Sequence, residues 1–144
     1  MHGRKNMKVL IDTNVIIDAL IGRQPYYGNA DKIIKLCADK KVTGYMAAHS
    51  IPDIFYILRK DWTEDERREL LLNLCDILFI EKVDSGKIIS ALKNKEFKDV
   101  EDCLQYECAA SVLADYIITR NIKDFYCSVI PAILLEDFLN LLMS

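Results

Sequence analysis

The sequence predicts an α/β fold, namely a three-layer α/β/α sandwich around a central parallel sheet of four to five strands. Short β-branched apolar runs alternate along the chain with segments whose apolar residues recur at helical spacing. The first of these runs also passes directly into a helix-like segment, as a strand does in a β–α unit. With 144 residues, the chain is long enough to bury one core.

The first quarter of the chain predicts a strand, a helix, a loop and a second helix. Val9–Ile11 is too short and too β-branched to favour a helix, and the helix-like segment Asn14–Ile21 follows at once. Turn-forming residues fill positions 22–28, which predicts a mobile loop near the edge where the first strand ends. Asn29 is expected to cap the second helix.

Two capping boxes indicate the helices in the middle of the chain. A short strand is predicted at Val42–Ala47, and Ser50 comes soon after it with an acid, Asp53, three positions later. We therefore expect Ser50 to cap a helix. The second box, Thr63–Glu66, predicts the start of a helix that ends near Leu78.

The rest of the chain continues the alternation of strands and helices. In order, we expect a weak strand at 79–83, a helix capped by Asp84 or Ser85, a helix from about 99 to 114, a strand at 116–119, a possible fifth strand at Val129–Ile130 and a closing amphipathic helix at 134–142. Because no linker, repeat or low-complexity segment appears, residues 7–144 are predicted to form a single domain and residues 1–6 a short N-terminal tail.

Composition excludes several classes of protein. No apolar run approaches the roughly 18 residues needed to span a bilayer, so we expect a soluble protein with no membrane partner. The chain has five cysteines, an odd number, and no C-x-x-C motif. This favours reduced thiols and a cytoplasmic location. A net charge of −3 argues against nucleic-acid binding by bulk electrostatics alone.

Acidic residues follow predicted strands or open predicted helices at four places: Asp12, Asp53, Asp99 or Asp102, and Asp124. The carboxyl ends of parallel strands meet at one edge of the sheet, so these acids are expected to lie together. Any one of them is also explained as a helix cap. A group of them would repel one another unless a cation bound there, and oxygen ligands suit Mg²⁺ or Mn²⁺. Such a centre is typical of phosphodiester hydrolysis.

Four stretches, spread in order over nearly the whole chain, carry a resemblance to one family: Leu10–Asn14, Ser50–Asp53, Lys98–Asp102 and Thr119–Phe125. The chain resembles the PIN domain family of small metal-dependent ribonucleases, which includes the VapC-type toxins of toxin–antitoxin pairs. The resemblance implies an endoribonuclease that acts on RNA with Mg²⁺ or Mn²⁺. It also implies a homodimer and, for a toxin, an antitoxin partner that occupies the cleft.

The resemblance assigns roles to individual acids. Asp12 corresponds to the first metal-binding acid and Asp102 to the third. At the second position the family usually has Glu, whereas this chain has Asp53, whose shorter side chain binds metal through a water or weakens the activity. Asn121 or Asp124 contributes at the fourth position, and Asp124 is the candidate for a catalytic and metal-binding role.

The remaining candidates are supporting and RNA-binding residues. Supporting roles are implied for Asn14, Asp99, Thr119 and Asn121. The basic residues expected to meet the RNA backbone are Arg59, Lys60, Lys98, Arg120 and Lys123.

Two other functions remain open at this point. A PIN-like module that binds RNA or protein without cutting is supported by the replacement of the usual Glu by Asp53. A phosphatase or receiver-like domain would use Asp12 as a nucleophile and form a phospho-aspartate.

Overall fold

A computed structural model describes residues 6–143 of the chain. The predicted N-terminal tail therefore lies outside the described residues except for Asn6. The side-chain amide of Asn6 donates a hydrogen bond to the carbonyl oxygen of Lys40 over 2.8 Å.

The described residues form five strands, seven α-helices and two short 3₁₀-helices. In chain order they are β1 (Lys8–Ile11), α1 (Thr13–Ile21), α2 (Tyr27–Ala38), β2 (Thr43–Ala47), α3 (Ser50–Ile57), a 3₁₀-helix (Leu58–Lys60), α4 (Glu64–Ile77), β3 (Phe79–Glu81), α5 (Ser85–Lys93), α6 (Val100–Ser111), β4 (Tyr116–Ile118), a 3₁₀-helix (Ile122–Phe125), β5 (Ala132–Ile133) and α7 (Leu135–Met143). None of these helices is long and apolar enough to cross a membrane.

The sheet has the strand order β3-β2-β1-β4-β5, and every neighbouring pair is parallel. The predicted α/β sandwich with a parallel sheet is thereby confirmed. From β1 the chain adds β2 and β3 on one side and β4 and β5 on the other. In open sheets of this kind the point where the strand order reverses is where ligands bind, beyond the carboxyl ends of the strands.

Strand residues alternate between two cores, one on each face of the sheet. Val9 and Ile11 pack into the core that contains α1, α2, α4 and α7, whereas Leu10 between them packs into the core that contains α6. Ile118 and Ile117 divide in the same way. The strands are apolar on both faces because helices cover both, as expected for a parallel sheet.

Two of the predicted boundaries are wrong. The fifth strand is not Val129–Ile130 but β5, because Ala132 is the residue that comes into register with Ile117 of β4. Val129 lies outside the sheet and is 82% exposed. The second helix begins at Tyr27 rather than after an Asn29 cap, so the preceding loop is shorter than predicted.

The predicted capping role of Ser50 is also wrong. His49 occupies the cap position of α3 and makes no capping hydrogen bond with its side chain. Ser50 is fully buried, and its hydroxyl contacts Thr13 and Gln105 in the interior. The partners that redirect this hydroxyl come from distant parts of the chain, so the local pattern could not indicate them.

Candidate active site

An open cleft of about 480 Å³ lies beyond the carboxyl ends of β1 and β4. The acidic side chains that line it are Asp12, Asp53, Glu101, Asp102 and Asp124. The predicted catalytic acids therefore all line this one cavity, which we call the acidic cleft. Its wall also includes the predicted supporting residues Asn14, Thr119 and Asn121.

Both carboxylate oxygens of Asp12 accept hydrogen bonds. It caps α1, and its Oδ1 accepts a hydrogen bond from the backbone N–H of Thr13 over 2.9 Å. Its Oδ2 accepts a hydrogen bond from the hydroxyl of Thr119 over 2.9 Å. These bonds tie the end of β1 to the turn after β4, so the carboxylate enters the cleft in a defined orientation.

The turn that follows β4 is a small hydrogen-bonded unit. The Thr119 hydroxyl accepts a bond from the backbone N–H of Asn121 over 3.1 Å while donating its own proton to Asp12. The Asn121 side-chain amide donates to Oδ2 of Asp124 over 2.8 Å. Asn121 thus orients the Asp124 carboxylate.

The acids of the cleft influence one another electrostatically. Burial and, after it, the negative charges of Asp99, Asp124, Asp12 and Glu101 together raise the pKa of Asp102 to about 7. Burial also raises the pKa of Asp12, although its bonds from Thr119 and Thr13 act against this. Accumulated negative charge makes the ionised carboxylates unfavourable without a cation.

Glu101 also lines the cleft, although the sequence patterns did not single it out. Burial, together with the charges of Asp53, Asp99 and Asp12, raises the pKa of its carboxyl group. It lies next to Asp102 in the first turn of α6, where an acid was already explained by the helix dipole. Asp99 caps this helix by accepting hydrogen bonds from the backbone N–H groups of Glu101 and Asp102, and it does not line the cleft.

A buried neutral trio, Thr13, Ser50 and Gln105, connects the elements that carry the acids. The two hydroxyl oxygens are 2.7 Å apart, and the Gln105 amide donates to Thr13 over 3.0 Å and to Ser50 over 3.1 Å. Thr13 follows Asp12 directly, and Ser50 and Gln105 lie three residues from Asp53 and Asp102. The trio therefore joins α1, α3 and α6 beneath the cleft.

A charged cluster, Asp18, Arg23 and Arg120, lies beside the cleft. The Asp18 side chain is fully buried in α1, with Arg120 Nε at 2.8 Å and Arg23 Nη1 at 3.4 Å from its oxygens. Burial raises the pKa of Asp18, and both arginines act to lower it. One signal in the sequence was available: a lone acid within an otherwise apolar helix requires a cationic partner.

The predicted RNA-binding residues are not all placed at the cleft. Arg120 lines it, whereas Arg59, Lys60, Lys98 and Lys123 do not. The Arg59 guanidinium lies over the ring of Tyr56, 3.6 Å from its centroid, and donates to the Tyr56 carbonyl.

The donors of the cleft fit a hard divalent cation. They are carboxylate oxygens with amide and hydroxyl oxygens nearby, which suits Mg²⁺ or Mn²⁺ rather than a thiol- or imidazole-binding metal. Within residues 6–143, no three His, Cys, Asp or Glu side chains already stand together as a metal-binding group.

Solved structures share this fold. One is the structure of VapBC2 from Rickettsia felis bound to a DNA fragment from its promoter. It matches this chain with a TM-score of 0.62 and 19% identity, over 89% of this chain and 98% of that chain. Mycobacterium tuberculosis VapC20, described as a Sarcin-Ricin loop cleaving toxin, gives a TM-score of 0.59 at 14% identity over 76% of this chain and 86% of that one.

The sequence is also similar to a known ribonuclease and matches a family profile. The chain is 28% identical to Ribonuclease VapC1 of Aquifex aeolicus (strain VF5) over 137 residues, which cover 91% of this chain and 92% of that protein. The family profile described as PIN domain matches residues 8–123, which include every acid of the cleft except Asp124. The chain therefore belongs to the PIN domain family.

Proposed function

We propose that this protein is a metal-dependent endoribonuclease and the toxin of a toxin–antitoxin pair. The observation that carries the proposal is the acidic cleft, in which acids from four separate parts of a PIN domain line one open cavity. The likeness to a ribonuclease and to a toxin that cleaves an RNA loop supports RNA as the substrate.

Mg²⁺ or Mn²⁺ would be held by Asp12, Asp53, Asp102 and Asp124. When bound, the ion lowers the pKa of a water and stabilises charge on the phosphoryl oxygens. Thr119 keeps Asp12 turned toward the cleft, and Asn121 does the same for Asp124. The fixed side chains thus lower the entropic cost of assembling the site.

The reaction transfers protons as well as breaking a phosphodiester bond. Hydrolysis forms a bond between a water oxygen and phosphorus, while the phosphorus–oxygen bond to the leaving nucleotide breaks. The water loses a proton and the leaving oxygen gains one, so a group that exchanges protons near neutral pH is useful. A bound cation would favour the ionised carboxylate, so Asp102 is assigned to holding the metal rather than to this proton transfer.

We further propose a single-stranded or looped RNA target, because an open cleft receives an unpaired backbone more readily than a duplex. An antitoxin that occupies the cleft and a homodimer of this chain complete the proposal. The similarity to VapBC2 supports the antitoxin. A cytoplasmic location is proposed on the same basis.

The test is cleavage of a structured RNA by the purified protein with Mn²⁺, followed by gel electrophoresis. Asp12→Asn is expected to abolish cleavage, because it removes the negative charge at the centre of the cleft. Asp31→Asn is the matched control, since Asp31 makes a surface ion pair with Lys35 on α2 and does not line the cleft. Equal cleavage by wild type and Asp12→Asn would contradict the proposal.

One observation favours the second candidate, an RNA-binding PIN domain that does not cut. The described acids are not gathered into a metal-binding group, and Asp53 is one methylene shorter than Glu. Asp53→Glu separates the two functions. A ribonuclease is expected to retain or gain activity with this variant, whereas cleavage that appears only in the variant would identify the natural chain as a binding module.

A further inference from the structure

The charged cluster contains a carboxylate that the proposed mechanism does not use. Asp18 lies in the middle of α1, and its side chain has no exposed surface. Burying a charge is unfavourable unless partners compensate for it. Asp18 has two such partners, Arg23 from the loop after α1 and Arg120 from the turn after β4.

The two arginines have different positions. Arg120 is the only basic residue among the described residues that line the acidic cleft, whereas Arg23 does not line it. Arg120 and Asp12, the first proposed metal ligand, line the same cleft. Among the described residues, the one cation in an otherwise negative cavity is therefore held there by a buried acid.

Two contacts restrict the Arg120 guanidinium. Its Nε is 2.8 Å from the Asp18 carboxylate, and its Cζ lies 4.0 Å from the centroid of the Tyr26 ring. Tyr26 comes from the loop that the sequence predicted to be mobile near this edge. The contact with Asp18 involves Nε, which leaves the terminal nitrogens Nη1 and Nη2 outside that contact. These nitrogens are the ones that bind phosphate oxygens in arginine–phosphate pairs.

We propose that Asp18 and Tyr26 are positioning residues that hold Arg120 as a phosphate clamp for the RNA substrate beside Asp12. The inference rests on the proposed function, because it assigns the clamp to the RNA that the cleft would cut. Holding the side chain in advance reduces the rotamer entropy that binding would otherwise cost. Arg120 also brings positive charge to a cleft that would otherwise repel the RNA backbone.

The decisive variant is Asp18→Asn, because two explanations predict opposite signs. This change raises the net charge by one, so general electrostatics predicts tighter RNA binding. The clamp predicts weaker binding, because Arg120 loses the acid that positions it. Affinity for a fluorescein-labelled single-stranded RNA is measured in EDTA, which prevents metal-dependent cleavage, over a series of salt concentrations.

Replacing Arg120 itself shows how much RNA affinity the clamp contributes. Arg120→Gln is expected to weaken binding by about tenfold, the effect of losing a hydrogen bond to a charged group. It should also lower the slope of log affinity against log salt by about 0.7, the value for one phosphate contact with a single strand. Arg23→Gln removes the same charge from the same cluster outside the cleft, and is expected to leave binding nearly unchanged.

Tyr26→Leu keeps the inference testable if Asp18→Asn does not fold. Tyr26 is 40% exposed, so its replacement is expected to leave thermal stability close to that of the wild type. The clamp predicts weaker RNA binding and a higher KM for cleavage, with Mn²⁺ affinity unchanged because neither variant alters a proposed metal ligand. A purely structural role would lower Tm without this selective effect.

Three results would overturn the inference: a folded Asp18→Asn protein that binds RNA as tightly as the wild type or more tightly, an Arg23→Gln effect equal to that of Arg120→Gln, or a Tyr26→Leu protein with unchanged affinity. If one of these results is obtained and the wild-type protein cuts RNA, the clamp is rejected and the proposed nuclease stands. A wild-type protein that binds RNA without cutting it rejects the proposed nuclease and leaves the clamp to be judged by the affinities.

Discussion

Two buried polar groups lie near the acidic cleft, and they differ in the kind of interaction that holds them together. The neutral trio joins α1, α3 and α6 by hydrogen bonds of 2.7 to 3.1 Å. The charged cluster joins α1 to the loop after it and to the turn after β4 by ion pairs. The trio lies entirely in the interior, whereas the arginines of the cluster extend toward solvent.

The difference separates two ways of supporting a site. A neutral network holds its members by geometry, and burying it costs less than burying a charge. In this trio the hydroxyls and the Gln105 amide nitrogen are hydrogen-bonded, whereas the buried Gln105 Oε1 accepts no hydrogen bond from the described residues. A buried ion pair is expensive to desolvate and often adds little stability over apolar residues of the same volume. The trio is therefore explained by structural support for three acids. The cluster is better explained by function, since it brings a cation to a negative cavity.

The largest expected effect comes from removing both cations of the cluster. The double variant Arg23→Gln with Arg120→Gln leaves Asp18 buried without a charged partner. We expect the free energy of unfolding to fall by about 3–5 kcal/mol at neutral pH, the range for an ion pair broken on one side. Urea denaturation gives this quantity, and the triple variant that adds Asp18→Leu should recover much of the loss. A double variant as stable as the wild type would show that Asp18 is not a buried charge.

Breaking the neutral trio is expected to lower the free energy of unfolding by a smaller amount. Gln105→Leu removes the two donors that reach Thr13 and Ser50, and should cost about 1–3 kcal/mol. The variant Thr13→Val with Ser50→Ala and Gln105→Leu removes all the polar partners together, and should restore part of this loss because no hydroxyl is left unsatisfied. Equal stability of Gln105→Leu and wild type in urea would mean that the trio gives no support.

The pH dependence of stability distinguishes the two groups more finely. Burial raises the folded-state pKa of Asp18 above its ordinary value of 3.8, so the folded protein binds this proton more tightly than the unfolded chain does. Stability attributable to Asp18 should therefore increase as pH falls from neutral through the raised pKa, and decrease as pH rises through it. The difference between wild type and Asp18→Asn should follow this trend.

The neutral trio supplies the control for that measurement. Its members carry no titrating group in the neutral range, so the loss in Gln105→Leu should stay constant with pH. The same urea series over pH measures both variants. A pH-dependent Gln105→Leu loss, or a constant Asp18→Asn difference, would remove the distinction between the groups.

The smallest effects are expected at the basic residues outside the cleft. Substituting Arg59, Lys60, Lys98 or Lys123 by Gln should change RNA affinity only slightly, through the general field of an exposed charge. Binding titrations at low and high salt measure this. If Lys123→Gln weakened binding as much as Arg120→Gln, the clamp would not be a special contact.

The sequence predicted the parallel sheet and the gathering of acids because both depend on local patterns. The run Val9–Ile11 followed by Asp12 identifies a strand that ends in a carboxylate, and similar patterns recur before Asp53 and Asp124. Parallel strands align their carboxyl ends, so the pattern was sufficient to place these acids in one cleft. The bonds from Thr119 to Asp12 and from Asn121 to Asp124 are details that the structure adds.

Tertiary structure alone decided the partners of buried polar residues. Ser50 fits a capping box locally, yet it bonds to Thr13 and to Gln105, which lie 37 and 55 residues away in the chain. Asp18 meets Arg120, which comes from the turn after β4 and lies far away along the chain. Strand and helix patterns repeat over a few residues and can be read locally, whereas the partner of a buried hydrogen-bonding or charged side chain is set by which elements pack together.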